Sequence, residues 1–266
     1  IARIRKNLGL DRPLYVQFFS WLGAVLSGDL GVSIFSELPV AKLIGQRLEP
    51  TIALSISTTI FAILVAVPLG TIAAYKAGTM VDRAVMAFAV LGFSVPVFVI
   101  GYVLMYFFSL KLGWFPVQGY KPIGDGFWPF LHSITLPTLA LGIVYVALIA
   151  RITRASVLEI LTEDYIRTAK AKGLDDANLL VRHALRNAAV PIVTIIGIGV
   201  ALLIGGVVVT ESVFNIPGLG RLTIDAVLRR DYPIIQGVIL VFSGIYVFVN
   251  LFIDILYTFL DPRIRY

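Results

Sequence analysis

Five long runs almost free of charge constrain this chain more than any other feature. They lie at roughly 52–75, 84–111, 134–150, 188–209 and 234–260, and the formally charged residues within them are Lys111, at an end, and Asp254. A charged side chain at bilayer depth costs roughly 2.5–3.5 kcal/mol on insertion scales, and about 20 apolar residues cross a membrane as a helix. The runs are too long and too uniformly apolar for amphipathic helices of a soluble domain. The third is short, and its start is expected a few residues earlier. Composition agrees: of 266 residues 58% are hydrophobic and 14% charged, against about 25% charged in a soluble domain. The fold class expected is an all-α membrane protein with five spanning helices.

Orientation follows from basic residues in the short connections. Segment 151–187 carries seven of them: Arg151, Arg154, Arg167, Lys170, Lys172, Arg182 and Arg186. Placing it in the cytoplasm puts 76–83 and the C-terminus there too, and 1–50, 112–133 and 210–233 outside. The inside set is about twice as dense in Lys and Arg. With 1–50 outside, a sixth spanning helix is expected before Ile1. The chain then divides into an extracytoplasmic region, 1–50, and a membrane domain, 51–266, containing the loop 151–187. Region 1–50 is expected to turn at Asp11-Arg12-Pro13 and to form a helix near 14–27. The net charge of +6 belongs with lipid headgroups and topology, not with nucleic acid.

The sequence carries no catalytic engine. It lacks the G-x-x-x-x-G-K-[ST] phosphate loop, H-E-x-x-H and G-x-S-x-G. It has no cysteine, and His132 and His183 are far apart, so nothing suggests a metal site. Asp254 reads as the single carboxylate at membrane depth, with Asn250 and Tyr257 at i−4 and i+3. An interhelical or interfacial hydrogen-bonding role and an ion-coupling role are both open to it. Pro68, Gly70, Gly92, Pro96, Pro137 and the glycines from Gly197 to Gly206 fit close helix packing and kinks, or hinges along a path.

The informative stretch is the loop 151–187. Residues 155–172 read as one helix, with Val157, Leu158, Leu161, Tyr165, Ile166 and Ala169 along one side. Gly173 is placed to end it in the left-handed conformation, and Leu174 to fold back on the last turn. Asp175 or Asp176 then offers an N-cap for a second helix from about Ala177 into the next span. Small residues at the bend (Thr168, Ala169, Ala171) allow a partner's groove to close around the backbone. An amphipathic helix lying on lipid is the competing reading.

Arg154-Ala155-Ser156, the run Asp164-Tyr165-Ile166-Arg167-Thr168-Ala169-Lys170-Ala171-Lys172-Gly173-Leu174, and Arg182-His183-Ala184-Leu185-Arg186-Asn187 resemble the cytoplasmic "EAA" loop of ABC-importer permeases, in the dipeptide/oligopeptide/nickel variant. The resemblance extends to Gly9-Leu10-Asp11-Arg12-Pro13, Gly28-Asp29-Leu30-Gly31, Phe214-Asn215-Ile216-Pro217-Gly218-Leu219-Gly220, Arg230-Asp231-Tyr232-Pro233 and Asp261-Pro262-Arg263. Arg167 and Thr168 stand where the general signature has Glu and Ala, and Arg186 where it has Pro; Pro191 lies five residues later. These departures are typical of the peptide-type subgroup.

The resemblance implies a type I importer transmembrane domain that pairs with a second homologous permease in a bacterial or archaeal cytoplasmic membrane. Two ATPase subunits, which bind the ATP and magnesium, would dock on Tyr165, Arg167, Thr168, Ala169, Ala171, Gly173 and Leu174. A substrate-binding protein would deliver peptides, or alternatively nickel, glutathione or some oligosaccharides. Phe214, Pro217, Gly218, Leu219 and Gly220 are expected to contact that protein or gate the outer mouth. No cofactor is expected in this chain. A secondary transporter would need more ion-coupling groups than Asp254, and a membrane enzyme a clustered catalytic set.

Overall fold

The structure is a computed structural model that describes residues 13–260. The turn expected at Asp11-Arg12, the Gly9–Arg12 match and the Asp261–Arg263 match lie outside the described residues. The chain runs through α1 (Leu14–Leu26), α2 (Val40–Tyr75), α3 (Met80–Ser94) and α4 (Val97–Leu104), which continues as a wider π-helical turn over Met105–Lys111. It goes on through α5 (Phe127–Leu161), α6 (Asp164–Ala171) and α7 (Asp176–Asn178), with a second π-helical stretch at Leu179–Leu185. The last elements are α8 (Ala189–Val213), α9 (Leu219–Arg229) and α10 (Tyr232–Leu260). Among the described residues three helices are long and apolar enough to cross a membrane, and two bent pairs bring the total to five.

The centre is α5, packed along α2 and flanked by α3, α4 and α8. Leu54, Ala62, Ala66, Ile134, Leu141 and Val207 belong to its buried cluster. Small residues set the spacing. A Cβ added to Gly70 on α2 would lie 2.6 Å from the Ala150 carbonyl oxygen and 2.7 Å from the Thr153 Cβ on α5. Outward faces of α2, α3, α4 and α10 leave large apolar side chains exposed, as lipid-facing helices must. The helix expected near 14–27 forms at Leu14–Leu26 and buries none of its residues within this chain.

Two spans bend beside a proline. The run expected as one span at 84–111 is broken by 103° between α3 and α4. Pro96 has no amide hydrogen for the Gly92 carbonyl, and its ring would collide with that carbonyl in a continuous helix. The helix expected to flow from Ala177 into the next span is likewise bent by 65° before α8. Pro191 has no N–H for the Asn187 carbonyl, and in the first turn of α8 that N–H is not needed. Pro50, Pro68 and Pro137 lie inside helices that run on through them.

Several boundaries differ from the sequence reading. Helix α2 begins at Val40, so the division at residue 50 falls inside it. Helix α5 takes in residues 151–161, so the single helix expected over 155–172 is two, parted at Thr162–Glu163. There the Thr162 hydroxyl bonds back to the Glu159 carbonyl at 2.7 Å, and Glu163 is extended at ψ 145°.

Candidate functional site

At the end of the bundle expected to face the cytoplasm, α5 is the stalk and α6 the head. Ile166 is the one buried residue of α6. Tyr165, Arg167, Thr168, Ala171 and Gly173 are exposed, while Ala169 and Leu174 are half-buried. Arg167 reaches the exposed Asp164 at 3.3 Å, a surface pair that adds little stability. The sequence-predicted coupling residues therefore form one contiguous projecting element.

The turn that ends α6 has the form its sequence demands. Gly173 is left-handed at φ 84°. Its N–H donates to the Lys170 carbonyl at 3.0 Å, and the Leu174 N–H donates to the Ala169 carbonyl at 3.3 Å. These are the paired bonds of a Schellman motif, in which any side chain with a Cβ is strained. Asp175 then caps α7: its carboxylate accepts from the Asn178 side chain at 2.6 Å and the Asn178 amide at 3.1 Å. Those two bonds, side chain first, hold the Asp175 carboxyl below its ordinary range.

The base of this element is fixed to the membrane helices. Ala74, Val157, Ala184, Ala188 and Ile192 form a small buried cluster joining α2, α5 and α8. Arg154 on α5 grips Asp82 in the first turn of α3 with both Nε and Nη2, the latter at 2.7 Å. The Gly78 amide also donates to Asp82, at 2.9 Å. The Tyr75 hydroxyl, at the end of α2, donates to Asp176. Arg154 and Asp176 were visible in the sequence as a topogenic charge and a cap; their partners, 72 and 101 residues away, were not.

At the opposite end the residues expected to contact a partner or gate the outer mouth are mostly inside the protein. Phe214, Gly218, Leu219 and Gly220 are buried and Pro217 is exposed. Phe214 presses on Gly101, where an added Cβ would lie 3.1 Å from its ring, and its carbonyl accepts from the Gly119 amide at 2.9 Å. Leu219 joins Val40, Ile44, Leu222 and Val238 in a second cluster.

That loop closes over Glu211, which sequence reasoning passed over. Glu211 lies two residues beyond the apolar run at 188–209, on the same helix α8, and is fully buried. Asp254 is therefore not the sole carboxylate of the spanning helices. The Thr51 hydroxyl donates to Glu211 Oε1 at 2.6 Å and the Arg221 amide to Oε2 at 3.0 Å. Thr51 Oγ1 in turn accepts from the Leu219 amide at 2.8 Å. Asp254 is exposed in this chain and lines a cleft of about 560 Å³ between α8 and α10 with Thr194, Tyr246, Asn250 and Tyr257. The Tyr257 hydroxyl donates to Thr194 at 2.8 Å across that cleft.

Residues 66–266 match the family of binding-protein-dependent transport system inner membrane components. The chain belongs to that family. It is 54% identical over all 266 residues to y4tP of Sinorhizobium fredii, a probable peptide ABC transporter permease, and spans 85% of it. It is 44% identical over the same 266 residues to GsiC of Escherichia coli strain K12, a glutathione transport system permease, and spans 84% of it. Its fold is shared with an inward-facing MetNI methionine ABC transporter at a TM-score of 0.69 and 17% identity, over 82% of this chain and 96% of that one. The permease is thus a multi-pass inner membrane subunit of an ABC importer, with the all-α type I architecture expected from its sequence.

Proposed function

We propose that this permease, paired with a second homologous permease, forms the path by which peptides cross the membrane, driven by two ATPases that hold α6 in a cleft. The observation that carries the coupling role is the geometry of the head and stalk. An eight-residue helix stands exposed with Ile166 as its one buried residue, while its base is pinned to α2 and α3 by Tyr75–Asp176 and Asp82–Arg154. A helix laid in a partner's groove is a recurrent recognition mode. Rigid attachment turns movement of that partner into movement of α5 and α8, shifting the path between outward and inward access.

The chain itself is non-catalytic, and ATP and magnesium are bound by the ATPases. The relatives' roles in peptide and glutathione transport support a peptide cargo delivered by an extracytoplasmic binding protein. The buried outer loop acts as an anchor for the mouth, and the exposure of Pro217 supports a direct contact there. Gly173→Val tests the coupling role in the assembled transporter. A β-branched residue at φ 84° is expected to distort the turn, loosening ATPase co-purification and abolishing uptake. Full uptake with normal ATPase docking would show that this turn is not the coupling element.

A further inference from the structure

Helix α9 begins with amides that no residue of its own helix can satisfy, as every helix does. An Asp, Ser, Thr or Asn beside the first turn usually meets that need; here the preceding residue is Gly218, with no side chain to offer. The partners come from elsewhere in the chain. Thr51 of α2 receives the Leu219 amide, and Glu211 of α8 receives the Arg221 amide. The Gly220 amide is also directed at Glu211. Thr51 and Glu211 are joined to each other at 2.6 Å.

The glycines on either side of Leu219 acquire a reason. A Cβ on Gly218 would fall inside the Glu211 carboxylate. On Gly220 it would lie 2.5 Å from the Val208 Cα and 3.0 Å from Glu211 Oε2. The loop is thus wrapped around the carboxylate, and α9 approaches the backbone of α8 as closely as glycine permits. Among the described residues no Lys or Arg forms an ion pair with Glu211. Arg47, a turn before Thr51 on α2, acts on it electrostatically without bonding to it, and the Arg221 side chain is turned away to Asn215. A fully buried carboxylate held by neutral donors is an expensive arrangement unless its geometry is needed.

We propose that Glu211 is the positioning residue of the outer mouth: a carboxylate on α8 that, with Thr51, locks the N-terminus of α9 and the loop 214–220 to both α2 and α8. This builds on the outer-loop reading above. The junction makes the outer ends of two spanning helices and α9 a single body, so that movement passed up α8 is delivered to the loop. Glutamine can reproduce the lock. Its carbonyl accepts from Arg221, and its amide donates to Thr51 Oγ1, whose hydrogen then turns to the Arg47 carbonyl 3.4 Å away. Alanine cannot.

The experiment uses the complete transporter with both permeases, both ATPases and the loaded binding protein. Amide hydrogen exchange is followed over 214–222 in E211A, T51V and E211Q, alongside the ratio of binding-protein-stimulated to basal ATP hydrolysis. Loss of a buried hydrogen bond raises local opening by about tenfold. E211A and T51V are expected to speed exchange there by that order and to lower the stimulation ratio; E211Q is expected to restore both. Unchanged exchange in E211A, or in T51V should E211A fail to assemble, overturns the positioning role. Faster exchange with an undiminished stimulation ratio upholds the lock and overturns the reading of the outer loop as part of the mouth's response to the binding protein.

Discussion

The contact between α2 and α5 can be tested with one substitution made at two places on one helix. Gly70 and Gly45 both lie in α2. Replacing either by Ala gains the same helix propensity, about 0.5–1 kcal/mol. Their surroundings differ. At Gly45 nothing lies within 4 Å of an added Cβ, whereas at Gly70 the Ala150 carbonyl oxygen lies 2.6 Å away and ordinary contact begins at 3.4 Å. The helices must therefore part by the difference, 0.8 Å, because the obstacle is backbone and cannot rotate aside. Forced expansion of a packed interior costs about 1–3 kcal/mol. Because the propensity gain cancels between the two variants, that steric cost is their expected difference in stability. At 2 kcal/mol it corresponds to a separation of about 4–8 °C in midpoint for a chain of this size. Thermal unfolding of the assembled transporter, followed by loss of the complex on size-exclusion chromatography, reads it. Gly45→Ala should match or exceed the parent protein. Equal midpoints for the two variants would refute the claim that α2 and α5 are in backbone contact at Gly70.

Two further outcomes follow from the base of α6. Asp82→Ala strands Arg154, whose side chain is 24% exposed against 6% for Asp82, so the loss is a discounted share of that for a fully buried pair, about 1–2 kcal/mol. Arg154→Lys loses the two-pronged grip and is expected to fall between parent and Asp82→Ala; a double-mutant cycle with no coupling energy would refute the pairing. Asp175 sets a pH dependence. Its folded carboxyl titrates below its ordinary range, so the cap is fully present above that range and is lost as pH falls through the lowered value. The protection of the Asn178 amide, the intrinsic exchange rate at each pH divided by the observed rate, should fall on acidification through that window and be insensitive to it in Asp175→Asn; the same change in protection in both proteins would show that another group controls the cap.

What the sequence discloses is what is local. Gly173, Leu174 and Asp175 act on residues within five positions, so the turn and the cap could be read directly. The apolar runs reveal the membrane but understate the helices. Hydropathy falls off where the bilayer ends, whereas α5 continues through Arg151 and Arg154 because nothing breaks it before Thr162. Glu211 was hidden for the opposite reason. It sits just past an apolar run, where a carboxylate passes for a solvated end, and its partner Thr51 is 160 residues away. The one available signal was the pair of glycines flanking Leu219, which marks a close approach but not the group approached.

The length of α5 carries a mechanical consequence. At 35 residues it is about 50 Å long, one continuous helix from the proposed outer mouth to the proposed coupling head. Such a rod converts angle into distance: a tilt of about 5° about one end displaces the other by roughly 4 Å. No relay of side-chain rearrangements is needed between the two faces of the membrane. In the coupling role proposed for α6, the two ends would report each other's position by leverage alone, and the stiffness of a single helix would set how faithfully they do so.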